Sequence, residues 1–203
     1  MPGMSIIKRI CVYCGSNSGH DTRFVAATRR FGEILAVNRI GLVYGGGSAG
    51  LMGTLARAVH DHGGEVIGII PQFLKAEERM FADADELVVT SGMHERKWLM
   101  FERADAFVAL PGGIGTLEEL VEQMTWAQLD QHRKPVLMLD IAGFWRPLLS
   151  LLAHMRAYQF IRPGLDIRYL VAERVEDAIP MLKSAVARAA REGGESRHIV
   201  DRL

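Results

Sequence analysis

Short apolar runs rich in Val and Ile alternate with longer amphipathic stretches along most of this 203-residue chain. The predicted strands cover residues 8–14, 41–44, 65–70, 86–89, 106–110, 136–139 and 167–171. The predicted helices cover residues 21–37, 50–62, 92–103, 116–129, 143–158 and 175–191. Strands that are each followed by a helix lie parallel in one sheet, because the helical crossover returns the chain to the same end of the sheet. The pattern therefore predicts an α/β fold, a doubly wound parallel sheet with helices on both faces.

The length of the chain and its hydrophobic fraction of 49% are sufficient for one domain with a sizeable core. We expect residues 1–203 to form that single domain. Residues 193–203 are polar and begin with paired glycines. We expect this terminal segment to be a flexible tail.

The charge balance bears on the choice of partners. Lys and Arg total 24, as do Asp and Glu, so no net positive field attracts nucleic acid or an anionic membrane. No apolar run approaches the roughly 20 residues that span a bilayer, and the first residues lack a secretory signal pattern. We therefore expect a cytoplasmic protein with neither a nucleic-acid nor a membrane partner.

Cys11 and Cys14 form a C-x-x-C motif, which can be a redox pair or part of a metal site. Redox motifs of this kind open a helix, whereas these cysteines end a predicted strand. Residues three apart on a strand point to opposite faces, which argues against a shared disulfide or metal. We predict two packing cysteines in a reducing compartment.

Three glycine turns follow the predicted strands, at residues 14–17, 45–48 and 112–115. The carboxyl ends of parallel strands meet at one edge of the sheet, where α/β proteins bind their ligands. We therefore predict one shared pocket. None of the turns is a G-x-G-x-x-G fingerprint and no Gly-Lys-Ser/Thr occurs, so NAD binding and ATP hydrolysis are disfavoured.

The third turn, in residues 111–119 (PGGIGTLEE), carries the strongest chemical signal. A strand that ends in a glycine turn and leads into a helix presents bare backbone N–H groups to a phosphate. Glu119, one helical turn beyond Thr116, would not help a site that only binds an anion. This arrangement suggests a site that holds a phosphorylated molecule and acts on it. The alternative is structural, because Thr-x-x-Glu also fits a capping box.

Residues 93–100 (MHERKWLM) form a second candidate cluster. It resembles half of the zinc motif H-E-x-x-H, but Trp98 occupies the position of the second histidine, so we predict no metal. Arg96 and Lys97 are adjacent cations at a helix start, where the helix dipole disfavours them unless an anion compensates. The alternative is a solvated charged face. In the loop at residues 71–79, Glu77 or Glu78 could bind a ribose hydroxyl or a base, or could be merely exposed.

Residues 45–53, 93–97 and 111–119 together resemble the Lonely Guy (LOG) family. Its members are cytokinin riboside 5′-monophosphate phosphoribohydrolases, formerly labelled lysine decarboxylases. The resemblance covers about residues 10–161. It implies a Rossmann-like fold, a homodimer and no metal or organic cofactor. It also implies hydrolysis of the N-glycosidic bond of an adenosine-type 5′-monophosphate, such as a cytokinin riboside 5′-monophosphate or AMP.

The resemblance also implies roles for individual residues. Arg96 and Glu119 match the catalytic pair of the family. The substrate-binding positions that it implies, with two from the second glycine turn, are Glu78, Lys97, Gly113, Ile114, Gly115, Thr116, Leu117, Glu118, Thr125, Gly46 and Ser48. The chain departs from the family at Ile114, where many relatives carry Tyr or Phe, and at Glu77. Both departures bear on the preference for the base rather than on the chemistry.

This chemistry agrees with the residues present. Cleavage of a glycosidic bond passes through an oxocarbenium-like cation, which needs a nearby anion and an activated water. Glu119 can supply both, while Arg96 could bind the phosphate or orient Glu119. One alternative is a non-catalytic carrier or sensor of a phosphorylated ligand, a nucleotide or molybdenum cofactor, on the same fold. Another is a broader nucleoside-monophosphate nucleosidase.

Overall fold

Seven parallel strands form one sheet in the computed structural model, which describes residues 7–75, 79–161 and 167–200, the last nine by their backbone only. The order across the sheet is β4-β3-β2-β1-β5-β6-β7. In chain order the strands are β1 (Arg9–Tyr13), β2 (Gly41–Tyr44), β3 (Val66–Pro71), β4 (Glu86–Thr90), β5 (Ala106–Ala109), β6 (Val136–Leu139) and β7 (Leu170–Ala172). All six pairings between neighbouring strands are parallel. The predicted α/β class and parallel sheet are confirmed.

Helices cover both faces of the sheet. They are α1 (Thr22–Val37), α2 (Gly50–Asp61), α3 (Met93–Arg103), α4 (Ile114–Gln128), α5 (Arg146–Ala157) and α6 (Val175–Val200). Buried residues of α1, α2 and α6 share one hydrophobic cluster with the sheet, and those of α3, α4 and α5 share the other. This is the doubly wound arrangement that the alternating pattern predicts.

Strand β7 begins at Leu170 rather than at residue 167, and three helix bounds differ by two residues or more from those predicted by sequence. Helix α4 begins at Ile114 rather than at residue 116, because the glycine turn itself enters the helix. Helix α5 begins at Arg146, since residues 141–143 form a separate short 3₁₀ turn in which Ala142 has a φ of 57°. Helix α6 continues past residue 191 to Val200, where we expected a tail.

Strand β1 divides its residues between the two faces. Ile10 and Val12 belong to the cluster of α1, α2 and α6, whereas Cys11 belongs to the opposite cluster. Cys14, just beyond the strand, lies in the first cluster, so the two cysteines are on opposite sides of the sheet. Both are buried and unpaired. The prediction of two packing cysteines is confirmed, and burial raises the pKa of both thiols, with the nearby Glu119 carboxylate adding to the rise.

The direction of winding reverses between β1 and β5. The chain proceeds outwards through β2, β3 and β4, crosses back over α3 to β5, and continues outwards through β6 and β7. The carboxyl ends of β1 and β5 therefore border the crevice where ligands bind in sheets of this type. Within the residues described, no helix has both the length and the apolar character to cross a membrane.

Candidate active site

The first and third glycine turns meet at the switch point between β1 and β5. The N–H of Gly15 donates to the carbonyl of Pro111 at 3.0 Å. A Cβ at Gly15 would lie only 3.4 Å from the Cα of Gly112, so the two turns are in backbone contact. The N–H of Leu51, at the start of α2, donates to the Gly15 carbonyl at 3.0 Å. A cavity of about 250 Å³ opens here, lined by residues 15–19 and 111–113 with Leu51 and two aromatic rings.

The N-terminus of α4 is exposed at this crevice. Gly113 is the residue before the helix, and it has no side chain with which to cap it. The first intrahelical bond is donated by the N–H of Leu117 to the Gly113 carbonyl, at 3.1 Å. The N–H groups of Ile114, Gly115 and Thr116 therefore have no partner within the helix. This turn is a suitable site for an anion.

The structure excludes the capping-box alternative. In that motif the Thr precedes the helix and the Glu is its third residue. Here Thr116 is the third residue of α4 and Glu119 is the sixth. The Thr116 side chain packs so closely against Gly112 that a Cβ at Gly112 would overlap it. Thr116 and Glu119 instead share the buried side of the helix.

Arg96 and Glu119 form an ion pair below this turn. Nη1 of Arg96 lies 3.8 Å from Oε1 of Glu119, and the two side chains are only 9% and 11% exposed. The Nε group of Arg96 donates to the carbonyl of Ile69, at the end of β3, at 3.1 Å. The guanidinium is therefore fixed by two contacts, one to the Glu119 carboxylate and one to the Ile69 carbonyl. Of the two roles predicted for Arg96, this geometry favours the orientation of Glu119.

A glycine in the second turn makes room for the guanidinium. A Cβ at Gly45 would overlap Nη2 of Arg96 and would lie 3.1 Å from the sulfur of Met52. Gly45 follows β2 directly, so the end of that strand fixes the position of its backbone. The sequence did not single out Gly45 among its neighbours, because nothing in a run of three glycines shows which one faces a side chain.

Lys97 is not on a solvated face but joins α3 to α4. Its Nζ donates to Oε1 of Glu118 at 2.7 Å and to Oε1 of Glu122 at 2.8 Å. Burial lowers the pKa of Lys97, but the hydrogen bonds to the two carboxylates raise it by more, so the net shift is upward. The second oxygen of Glu122 is buried without a hydrogen-bond partner among the residues described. Sequence reasoning missed Glu122, although its spacing of four from Glu118 places both on one helical face.

The other residues predicted to bind substrate differ in how deeply they are buried. Gly113, Ile114 and Gly115 are exposed at the start of α4. Leu117 is partly buried against the apolar cluster under α4. Thr125 is exposed, and its hydroxyl donates to the carbonyl of Val121 at 2.7 Å, one turn earlier in the same helix.

The second glycine turn is packed more deeply. Gly46 has a φ of 81° and is buried, and its carbonyl accepts the N–H of Phe81 at 3.1 Å. The N–H of Ser48 donates to the carbonyl of Arg79 at 2.7 Å. These two backbone hydrogen bonds join the second glycine turn to the segment before β4. Glu77 and Glu78 lie outside the residues that the structure describes.

Comparison with known proteins identifies the family of this chain. A family model described as "Possible lysine decarboxylase" matches residues 52–182. The cytokinin riboside 5′-monophosphate phosphoribohydrolase LOG of Oryza sativa is 53% identical over 146 residues, which are 72% of this chain and 60% of the rice protein. This chain therefore aligns with about three fifths of that relative. The phosphoribohydrolase of the same name from Rhodococcoides fascians is 42% identical over 87% of this chain and 90% of its own length.

The fold also matches a solved structure. The molybdenum cofactor binding protein from Rippkaea orientalis superposes with a TM-score of 0.66, covering 90% of this chain and 99% of that protein. The identity is 22%, so this likeness supports the Rossmann-like fold alone. The family model and the sequence relatives, together with the three motifs, show that the chain belongs to the LOG family.

Proposed function

We propose that this protein hydrolyses the N-glycosidic bond of adenosine-type nucleoside 5′-monophosphates, such as a cytokinin riboside 5′-monophosphate or AMP. The products are the free base and ribose 5-phosphate. The observation that carries the proposal is the buried ion pair between Arg96 and Glu119, adjacent to the exposed N-terminus of α4. A site that only bound phosphate would have no use for a carboxylate there.

The phosphate end of the substrate is assigned to the first turn of α4. The free N–H groups of Ile114, Gly115 and Thr116 and the positive end of the helix dipole favour a dianion there. The exposed backbone of Gly113 allows a ligand to approach closely. Because Glu119 is on the same helix, a phosphate bound at its N-terminus fixes the distance between the ribose and the carboxylate. Such fixed positioning supplies a large part of the rate enhancement in many enzymes.

Glu119 is assigned to the reacting carbon. As the C1′–N bond breaks, its electron pair leaves with the base and positive charge develops on C1′ and the ring oxygen. The base takes up a proton from the solvent, and Glu119 later returns to the solvent the proton that it accepts from the attacking water, so that the net reaction consumes one water. The carboxylate stabilises that charge and accepts a proton from the attacking water, whose oxygen forms the new bond to C1′. No redox partner is needed, because the reaction is a hydrolysis.

Arg96 is assigned a positioning role. Its Nε bond to the Ile69 carbonyl fixes the guanidinium, which in turn holds the Glu119 carboxylate in one orientation. A carboxylate held in this way requires little reorganisation when positive charge develops on the substrate.

We also propose that the protein is a homodimer in a reducing cytoplasm. Large apolar side chains are exposed next to the site on α3 and α4, with Trp98 at 51%, Val121 at 41% and Leu129 at 62%. An exposed apolar surface of this kind is typical of a contact with another protein. The two buried, unpaired cysteines suit a reducing compartment.

A chromatographic assay of base release tests the proposed function. We expect the purified protein to release adenine from AMP, or the modified base from N6-isopentenyladenosine monophosphate, and Glu119→Gln to slow release by about 100-fold or more while AMP still binds. Similar turnover of GMP and CMP would instead indicate a broad nucleosidase. Binding of the nucleotides with no release of base from any of them would indicate a carrier and overturn the proposal.

A further inference from the structure

A second cavity lies at the opposite end of the strands from the glycine turns. It has a volume of about 440 Å³ and opens beside the amino ends of β6 and β7. Its walls come from the last turn of α4, the segments leading into β6 and β7, and one face of α6. Strand β6 separates it from the ligand crevice by roughly 13 Å, at about 3.3 Å per residue. The cavity is therefore distinct from the proposed active site.

The lining of this cavity is strongly basic. Arg133, Arg168 and Arg188 all border it, and no Asp or Glu is among the described residues that line it. The chain as a whole has equal numbers of acidic and basic residues, so this is a local excess of positive charge. None of the three arginines makes a hydrogen bond or ion pair with any other residue that the structure describes.

Some arginines on the surface are paired with a carboxylate. Arg9 pairs with Glu65 at 2.9 Å, and Arg23 pairs with Asp21 at 2.6 Å. Mutual repulsion disfavours three cations around one concave surface, and a carboxylate could have relieved it as it does at those sites. Among the residues that the structure describes, no carboxylate plays this part for the three arginines of the cavity.

Lys134 and His132 also line the cavity, but their polar groups bind other parts of the protein. The Nζ of Lys134 donates to the carbonyl of Phe101 at 2.7 Å and lies 3.9 Å from the centre of the Phe101 ring. The Nε2–H of His132 donates to the carbonyl of Gln123 at 3.1 Å. Of the groups that line the cavity, three guanidinium groups thus have no partner within the described part of the chain.

The remaining wall is apolar. It consists of Pro135, Val136, Tyr169 and Leu170 at the sheet edge, with Ala185 and Ala189 from α6. A concave site of several hundred cubic ångströms, mainly apolar with a few convergent polar groups, is typical for small organic ligands. Guanidinium groups match the oxygens of phosphates in a bidentate way. The aromatic ring of Tyr169 offers a surface for a planar group.

We propose that this cavity is a second binding site, for a small organic phosphate that carries a planar ring, held by Arg133, Arg168 and Arg188. The site is independent of the proposed hydrolase reaction. Its ligand neutralises the unpaired arginines and covers the apolar wall between them.

Arginine labelling tests the site directly. The full-length protein is treated with phenylglyoxal, with and without inorganic pyrophosphate or ADP at matched ionic strength, and the modified positions are mapped by mass spectrometry. We expect both ligands to slow labelling of Arg168 and Arg188 at least fivefold, and ADP to do so at a lower concentration. Arg29 is the matched control, because it is exposed on α1 and does not line the cavity.

Because the readout identifies positions, phosphate bound at the α4 N-terminus cannot be mistaken for binding here. Labelling that is unchanged by either ligand would overturn the proposal. So would equal protection of Arg29, which would indicate general ionic screening. If pyrophosphate and ADP protected the arginines at the same concentration, the proposal that the ligand carries a planar ring would be contradicted.

A paired substitution provides a second readout. The double variant Arg168→Glu and Arg188→Glu, once its thermal unfolding shows that it is folded, should bind ADP with one fewer site per chain in calorimetry. Arg29→Glu should retain the wild-type stoichiometry. An unchanged stoichiometry in the double variant would contradict the proposed site.

Discussion

The guanidinium of Arg96 lies 3.8 Å from the carboxylate of Glu119, although the two residues belong to helices on either side of β5 in the chain. Each helix of a parallel α/β sheet begins at the carboxyl edge of the strands. Arg96 is the fourth residue of α3 and Glu119 is the sixth of α4, so both lie within the first two turns of their helices, close to that edge. The geometry of the fold thus brings a cation and an anion together next to a helix N-terminus.

Substitutions of this pair should separate catalysis from binding. We expect Glu119→Gln to lower kcat by about 100- to 1,000-fold, the range typical for loss of one electrostatic group. KM should change much less, because the α4 amides that we propose bind phosphate remain. Steady-state kinetics with AMP measures both values. A large rise in KM with unchanged kcat would show that Glu119 acts in binding.

The space beside Gly45 should be essential for the orientation of Arg96. In Gly45→Ala the new methyl group overlaps Nη2 of Arg96, so we expect the guanidinium to shift and kcat to fall at least tenfold. Gly92→Ala is the matched control, since a Cβ there meets nothing within 4 Å. Equal effects of the two substitutions on kcat would contradict this role for Gly45.

Lys97 should contribute to stability rather than to substrate binding. In Lys97→Met the carboxylates of Glu118 and Glu122 lose their shared cation, and Glu122 is largely buried. We expect the free energy of unfolding to fall by about 1–3 kcal/mol, measured by urea denaturation. Adding Glu122→Met should recover part of the loss, because an apolar pair avoids the unpaired buried charge. Unchanged stability with a raised KM would instead support the substrate contact that the family resemblance implies.

His132 should make stability depend on pH. Burial lowers the pKa of His132 below its ordinary value of 6.5. Its Nδ1 accepts the N–H of Lys134 while its Nε2–H is bound, which favours the neutral ring. As the pH falls below about 6.5, the unfolded chain takes up the proton before the folded protein does. The contribution of His132 is therefore present above that pH and is lost as the pH falls towards the lowered pKa.

Urea denaturation at pH about 7.5 and 5.5, for the wild type and His132→Gln, measures this effect. We expect the stability difference between the two proteins to narrow at the lower pH, by less than about 1.4 kcal/mol per pH unit. If the stability difference between the wild type and His132→Gln stayed constant or widened at the lower pH, the folded protein would protonate His132 at least as readily as the unfolded chain.

The sequence by itself determined the class of the fold and pointed to most of the residues proposed for the candidate site. Alternating apolar and amphipathic segments require a parallel sheet covered on both faces, because backbone hydrogen bonds and side-chain burial can both be satisfied in that way. The motif of residues 111–119 identified the turn proposed to bind phosphate, and the two cysteines were placed on opposite faces from the period of a strand. These properties depend on neighbours in the chain.

Only the tertiary structure decided how those residues are paired. The capping-box alternative for Thr116 and Glu119 was settled by where α4 begins, a boundary that depends on the packing of Gly112 against Thr116. The space that Gly45 gives Arg96, and the basic cavity that β6, β7 and α6 form, involve residues far apart in sequence. Their physical origin is close packing between separate elements, and local patterns do not encode it.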